Sequence, residues 1–348
     1  MEKCRVLVVG AGPSGVSAAF FLKFLDKDER MVVTLVEKLK KNHYKKYHKM
    51  CGEGISKKAF QELEPIRPYG VIEKVDLIRD VYPGGFKLDI KTDGYLIDRR
   101  CFLNNVINKF QRLGGHFQNK TVVGIEKPYE KPIVSFLEGR EKFDYVIAAD
   151  GTNSIIRKCL GSSGGLKRLF AQFIVVGNEV GHGTLLFIYD QKYCGDYKWV
   201  FPNGKTTKIG FPLFKNINVK EEVGEKVILE RHSRVVGYGG MDKYHVGRVL
   251  FIGDAAFQTN PITKGGIRSG MIAGKYAAEA ILRGNPALYE TKWKSSNYNG
   301  RWYMHVFTRL EKMNNRQLME MIKAIGESHS QKYKNFAKTF ELAHKYGW

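Results

Sequence analysis

Apolar positions cluster at the start of the chain in the pattern of a parallel sheet. Residues 5–9 (Arg-Val-Leu-Val-Val) form a short, nearly unbroken apolar run, as expected of a strand buried on both faces. Residues 16–25 read as a mostly apolar helix, and 31–36 as a second buried strand that stops at Glu37. The basic and aromatic run KLKKNHYKKYHK comes next over 38–49, then a tight loop through Gly52 and Gly54. Ser56 is placed to cap a helix running through Phe60 and Leu63, which Pro65 and Pro68 end. Alternation over 71–78 and 85–90 predicts strands of an inserted sheet. Phe102, Val106, Ile107 and Phe110 recur at helical spacing, and Gly114-Gly115 closes that helix. Further strands are predicted over 117–125, 132–137 and 143–149, the last stopping at Asp150-Gly151.

From 170 to 214 a period of two dominates, which predicts a several-stranded antiparallel sheet with turns at Asn203-Gly204 and near Gly181-His182-Gly183. Residues 222–232 are expected to form a helix. The chain then returns to a buried strand over 248–252 ending at Gly253-Asp254. A glycine-rich turn over 261–266 opens a long helix over 267–282. Residues 285–348 read as helical, with Leu318, Met319 and Ile322 on a packing face. The expected class is α/β: a Rossmann-like, three-layer domain with a parallel sheet, an antiparallel-sheet domain for substrate, and C-terminal helices. The expected boundaries are 1–160 with 245–285 for the first, 65–95 with 161–244 for the second, and 286–348 for the third.

Length and composition narrow the partners. A chain of 348 residues, 43% hydrophobic and 26% charged, can bury a large core. No apolar stretch reaches the roughly 18 residues of a membrane span. The opening runs straight into a strand, so a signal peptide is not expected, and a cytoplasmic setting is. The 5 cysteines are scattered, and His43 and His48 lack zinc-type spacing, so no metal is expected. Lys and Arg total 57 against 35 acidic residues, a formal charge of +22. That charge is dispersed and no nucleic-acid module accompanies it, which leaves a phosphorylated substrate, acidic lipid head groups or a generally basic surface. Peripheral membrane contact through the basic surface, with Trp293, Trp302, Tyr303 and Phe307 as a greasy patch, competes with core packing of those aromatics.

The turn Gly10-Ala-Gly12-Pro13-Ser14-Gly15 between strand and helix, with Glu37 at the end of the next strand, is the arrangement that binds a dinucleotide. Gly10 allows the tight turn, Gly12 leaves room for a diphosphate, and Gly15 lets helix and strand pack closely. The N–H groups at the helix start attract the anion, while Glu37 can accept hydrogen bonds from a ribose. The motif alone does not choose between NAD and FAD. Asp150 and Asp254 end two further strands, where an acid can hold sugar or ribityl hydroxyls. Gly265-Gly266 opens a helix whose bare N–H groups can meet a phosphate or flavin carbonyls. Tyr197, Trp199 and Phe201 alternate along a strand and share one face. Cys51 lies between the basic run and a Gly-x-Gly turn, where positive charge can lower a thiol pKa; a buried, inert cysteine is the competing reading.

This order of three dinucleotide-type elements resembles the flavoprotein hydroxylase superfamily, and within it the geranylgeranyl reductases. Cys51-Gly52-Glu53-Gly54 resembles their C-G-x-G, and residues 95–99 their arginine-bearing helix entry. Residues 197–202 are similar to their P-x-x-Y-x-W-x-F-P, although the leading proline is Cys194 here. Residues 249–270 resemble their G-D-A…P…G-G block. The resemblance spans roughly residues 1–290 and implies FAD. Gly10, Gly12 and Gly15 would cradle its diphosphate, with Glu37 at the adenosine ribose and Pro13, Ser14 and Lys38 among the cofactor contacts. Cys51, Gly52, Arg99, Val123, Asp150, Gly151, Gly253 and Asp254 would complete the cofactor contacts, with Gly265, Gly266 and Ile267 facing the flavin. Ser154 and Arg157 would belong to the second signature, with a plain surface role for Arg157 as the equal alternative. The implied reaction saturates carbon–carbon double bonds of geranylgeranyl chains on an isoprenoid lipid or prenyl diphosphate. Flavin N5 would give the hydride, and Cys51, Tyr197 and Trp199 would assist. Tyr197, Trp199, Phe201 and Pro202 would line the substrate. The electron donor would be external: ferredoxin, a deazaflavin or NADPH. An aromatic or polyketide-type monooxygenase and a non-enzymatic flavin electron-transfer or lipid-binding protein stay open as alternatives.

Overall fold

The computed structural model describes every residue except Met1, Met50, Glu179 and 327–333, and no side chains over 326–337. Its first layer is a six-stranded sheet in the order His245–Val246, Val249–Phe251, Tyr145–Ala148, Cys4–Val9, Met31–Val36, His116–Gln118. All neighbours run parallel except the short His245–Val246 strand. Pro13–Leu25 and Ile267–Leu282 pack side by side, because Gly274 lets the second helix approach the Ser14 carbonyl where a Cβ would lie 2.5 Å away. Ser17 ties the two by donating its hydroxyl to the Met271 carbonyl at 2.7 Å. A three-stranded sheet (Val122–Glu126, Ile133–Phe136, Gly139–Lys142) covers the first, Phe136 lining one cavity with Leu7, Thr34 and Val36.

The second body is an eight-stranded sheet. Its order is Ile228–Met241, Gly164–Val176, Thr206–Pro212, Lys198–Asn203, Thr184–Ile188, Val71–Val81, Lys87–Ile97, Gly54–Ser56. Only the Thr184–Ile188 and Val71–Val81 pair is parallel. One face buries Phe173, Val175, Val200, Ile209 and Phe211 in a core of its own. The other face carries Phe187, Tyr197 and Trp199, against which the C-terminal helices pack through Phe307, Leu310, Met321 and Phe340.

Three expectations are corrected. Residues 222–232 do not form a helix: a helix covers only Val219–Val223, Gly224 ends it at φ +70, and Ile228–Met241 is the edge strand of the large sheet. The Glu-Glu-Val pattern supports one turn, but the antiparallel ladder to Gly164–Val176 claims the residues beyond Val227. The segment expected as one strand over 117–125 is divided between the parallel sheet and the small sheet. Ser56 precedes its helix in extended conformation but does not cap it, because its hydroxyl donates to the Trp348 carbonyl at 2.7 Å.

The last helix, Lys334–Gly347, is tied to the large sheet by a buried pair: His344 Nε2 lies 3.4 Å from Oδ2 of the fully buried Asp80. Burial opposes the imidazolium, but Asp80 and the Phe340 carbonyl, which accepts from Nδ1 at 3.0 Å, outweigh it and raise the His344 pKa above its ordinary value. A raised folded pKa stabilises the fold fully below the unfolded value of about 6.5 and loses that contribution as pH climbs through the folded value. Thermal melts should therefore show His344→Gln below the native chain by about 2–4 °C near pH 6. The difference should narrow steadily toward pH 9. A difference that stays constant with pH would reject the charged pair.

Candidate active site

The glycines of the first turn are fixed by contact. Gly10 sits at φ +100 with the Ala149 carbonyl where its Cβ would be, and a Cβ on Gly15 would overlap the Gly10 carbonyl. Gly12 instead faces open space, the nearest atom to its Cβ position being His48 Cε1 at 4.0 Å. The helix Pro13–Leu25 starts there with no side-chain cap. Glu37 is buried and accepts the Ala11 N–H and the Leu39 N–H, each at 2.9 Å, so its carboxylate is held beside the turn.

The basic run over 38–49 has a structural reason. Lys41–His48 is a helix with its lysines outward and its aromatic face on the turn. Tyr44 donates its hydroxyl to the Ala11 carbonyl at 2.8 Å, and its ring lies 4.3 Å from that of His48. His48 is 2% exposed and its Nδ1 has no partner. Burial first, then the charges of Arg99 and Arg234, push its pKa well below the ordinary value, so the imidazole is neutral. Arg99 is buried and donates from Nε and Nη2 to the His48 carbonyl, at 3.0 and 2.8 Å.

The other two strand ends converge on the same region. Asp150 accepts the Ile155 N–H at 2.8 Å through Oδ2 while its buried Oδ1 has no partner, and burial raises its pKa. Ser154 caps the next short helix, and Arg157 is buried rather than on the surface. Arg157 donates to the carbonyls of Ala255 at 2.5 Å and Thr152 at 2.6 Å. Asp254 accepts from Thr259 Oγ1 at 3.1 Å and from Arg234 Nη2 at 3.2 Å. Gly253, at φ +61, packs on the Ser14 side chain, and Gly266 precedes the uncapped start of Ile267–Leu282. Two uncapped helix starts, room over Gly12 and two buried polar atoms without partners fit a dinucleotide carrying a diphosphate.

The Cys51-Gly52-Glu53-Gly54 loop lies on the aromatic face of the large sheet. A Cβ on Gly52 would come 2.5 Å from the Phe201 ring. Glu53, at φ +65, pairs with the buried Lys208 and accepts the Arg99 N–H at 3.1 Å. The face is continuous: Phe187 stands 4.9 Å from Tyr197 and 5.3 Å from Phe201, and Trp199 stands 4.9 Å from Phe201. Pro202 is buried behind them. Tyr197 donates its hydroxyl to the Thr263 carbonyl, two residues before Gly265, and burial raises its pKa well above the ordinary phenol value. Cys51 is a free, half-buried thiol packed against the core of the nucleotide layer. Lys38 and Val123 are exposed, whereas Gly151 sits at φ +81.

No family model matches the chain. Digeranylgeranylglycerophospholipid reductase 1 of Methanothermobacter thermautotrophicus is 30% identical over 318 residues, covering 80% of this chain and 78% of that protein. The digeranylgeranylglycerophospholipid reductase of Methanocaldococcus jannaschii is 28% identical over 373 residues, covering 93% and 90%. The chain belongs to the digeranylgeranylglycerophospholipid reductase family. Among solved structures, a geranylgeranyl bacteriochlorophyll reductase-like protein from Thermoplasma acidophilum superposes with a TM-score of 0.80 at 21% identity, over 99% of this chain and 98% of that one. A flavin-dependent brominase superposes at 0.73 and 14% identity, over 97% and 93%. The family is one of FAD-dependent oxidoreductases, and the site fits that cofactor.

For a reductase of this family, sequence alone misses His48, Arg234, Asp196 and Lys264. The last two form a buried pair at 2.6 Å directly before Gly265, joined by Arg168 and Glu311. His48→Leu, which removes the unpartnered nitrogen near Gly12, should weaken FAD binding by about tenfold, in line with one lost hydrogen bond to a charged group. Titration of the apoprotein followed by flavin fluorescence, with circular dichroism as the folding control, checks this; undiminished affinity would separate His48 from the cofactor.

Proposed function

We propose that this chain saturates the carbon–carbon double bonds of geranylgeranyl groups on an isoprenoid lipid or prenyl diphosphate. The observation that carries the reading is the convergence of three parts on one place: the Cys51-Gly52 loop, the Tyr197–Phe201 aromatic face and the Gly265-Gly266 helix start. Family membership favours this substrate class. In this reading residues 1–160 with 245–285 hold FAD, 65–95 with 161–244 present the substrate face, and 286–348 enclose it.

FAD, when bound, supplies hydride chemistry to an unactivated double bond. The chain's own residues must seat an apolar substrate, exclude water and provide a proton. Phe187 and Trp199, the partly buried members of the aromatic face, are the rings an isoprene unit would meet. Glu53 and Lys208 neutralise each other beneath the loop and so fix Gly52 on the Phe201 ring without leaving a lone buried charge. Cys51, next to the Gly52 that lies on the Phe201 ring, is the candidate proton donor or relay. Tyr197 keeps its proton across the physiological range and holds the loop before Gly265 through the Thr263 carbonyl. The two uncapped helix starts would hold the diphosphate and the flavin carbonyls.

Electrons come from outside the chain, from ferredoxin, a deazaflavin or NADPH. A cytoplasmic setting with peripheral approach to a bilayer suits a basic, lipid-modifying protein, and no helix among the described residues is long and apolar enough to cross a membrane. Of the aromatic patch that the sequence offers for that contact, Trp293, Tyr303 and Phe307 are buried, which leaves Trp302 at 61% exposure.

Anaerobic mixing of dithionite-reduced protein with geranylgeranyl lipid should reoxidise the flavin and add two mass units per bond reduced. Oxygen-dependent hydroxylation with no saturation would favour the monooxygenase alternative. Cys51→Ala should retain FAD and lower the reoxidation rate by about a hundredfold, within the usual range for loss of a general acid. Full turnover in that variant would remove Cys51 from the chemistry.

A further inference from the structure

The aromatic face of the large sheet continues, along rows of paired residues, to a charged cleft at the sheet's edge. His232 on the edge strand stands opposite Gln172, Gln172 opposite Gly210, Gly210 opposite Trp199, and Trp199 opposite Phe187. Side chains at directly paired positions share a face, so His232 lies on the face of Trp199 and Phe187. Three strand spacings of about 4.8 Å put His232 roughly 14 Å from Trp199. The neighbouring row joins Glu230, Ile174, Lys208 and Phe201 in the same way. Two residues further along the edge strand, Arg234 reaches Asp254 at 3.2 Å, so this strand also borders the nucleotide region.

The cleft has a volume of about 430 Å³ and is lined by Lys46, Lys49, Arg100, Glu230, Arg231 and His232. They come from the end of the Lys41–His48 helix and the residue after it, from the start of the Arg99–Arg112 helix and from the edge strand. Four permanent cations therefore surround one carboxylate. That carboxylate is already engaged, since Lys49 Nζ pairs with Glu230 and His232 Nε2 lies 2.9 Å from it. Arg100 is held by Asp98 at 2.5 Å. Lys46 and Arg231 are exposed, and no acidic side chain pairs with either among the described residues. An unbalanced positive charge in a concave site of small-molecule size attracts a compact anion with several acceptor oxygens.

We propose that this cleft binds a phosphate or diphosphate group. Lys46 and Arg231 supply the free charge, and Lys49, Arg100 and His232 frame it. On the prenyl-reducing reading above, on which this second step rests, the group is the head of the substrate. It is then held at the sheet edge on the same face as Trp199 and Phe187, at a separation that suits a head group and a double bond a few isoprene units along its chain.

The test titrates holoenzyme, whose own diphosphate site is filled by FAD, with inorganic diphosphate in a calorimeter. Native protein should bind one equivalent, less tightly as salt rises. The Lys46→Gln/Arg231→Gln double variant should bind it about tenfold more weakly at equal salt, in line with charged hydrogen bonds lost at an exposed site. Circular dichroism checks the fold; should the pair not fold, either single substitution should weaken binding by about threefold and has the same force. The head-group step is read on dithionite-reduced enzyme from kcat/KM for geranylgeranyl diphosphate, for a geranylgeranyl glycerophosphate lipid in detergent and for uncharged geranylgeraniol. The double variant should lower the ratio of the phosphorylated chains to the alcohol by about tenfold, the loss falling on the charged head alone. A fall confined to one of the two phosphorylated chains supports the site and identifies which head it takes. Equal diphosphate affinity in native protein and variant, or binding by neither, overturns the inference and leaves the reductase reading standing. Weakened diphosphate binding with unchanged ratios overturns the head-group step. Native protein that reduces none of the three chains removes the reductase reading, and the diphosphate titration then decides the cleft on its own.

Discussion

Backbone-to-backbone contact around the first helix is the constraint on which the rest of the molecule depends. Gly15 presses on the Gly10 carbonyl, Gly10 on the Ala149 carbonyl, and Gly274 on the Ser14 carbonyl. Each contact joins neighbouring layers or turns, so the first strand, the Tyr145–Ala148 strand and the Ile267–Leu282 helix are pinned to one point. A methyl group at any of the three would force apart close-packed layers, and interiors packed at crystal density yield only by moving neighbours. The same closeness aims both uncapped helix starts at one region. Fold and anion site therefore share a cause.

Buried charge is arranged to hold loops rather than to decorate them. Lys208 and Glu53 are both 3% exposed and lie between the large sheet and the loop after Cys51. Asp196 lies between Arg168 and Lys264, and Lys264 also stands 3.9 Å from the Phe307 ring centre and 4.2 Å from that of Tyr238. Burial depresses the Lys264 pKa, while Asp196 works against that shift. Such pairs add little net stability against an apolar substitute, but an error in register leaves a charge alone, which is strongly destabilising. They therefore favour one placement of the turns that carry Gly52 and Gly265. At Lys264 the backbone also takes a left-handed φ of +48, which a lysine adopts only where its surroundings impose it.

The parallel sheet and its nucleotide turn are legible in the sequence because their signals are local: an apolar run, a glycine spacing and an acid at the next strand end. The antiparallel sheet is legible from its alternation through Thr206–Pro212. Its edge strand Ile228–Met241 is not. Glu230, His232 and Arg234 alternate along it and make it look polar, and only pairing with Gly164–Val176 decides it. His48 is hidden for a related reason. Its spacing from His43 suggests no chemistry, and its partners are Gly12, Tyr44 and Arg99, which no short spacing can reveal. Arg157 likewise passes for a surface residue and is buried beside Phe257, because its two acceptors are backbone carbonyls that leave no mark in a sequence. The alignment with the Methanocaldococcus protein also covers 93% of the chain, more than residues 1–290 could supply, so family likeness enters the C-terminal helices.

Those helices explain why the two sheets form one working unit. An aromatic face such as that of Tyr197 and Phe187 would expose a large apolar patch if it were left uncovered, and soluble chains rarely tolerate one. Phe307, Leu310, Met321 and Phe340 cover part of it. The final turn then bends back to the nucleotide side, where Arg268, Thr263 and Ser56 receive its carbonyls. Ser56 belongs to the large sheet, and Arg268 and Thr263 to the region that opens the second uncapped helix. One short tail is therefore bonded to both bodies at once. Shear between the sheets would have to break those bonds and the His344–Asp80 pair together. That coupling keeps the aromatic face at a fixed distance from the turn that opens the second uncapped helix.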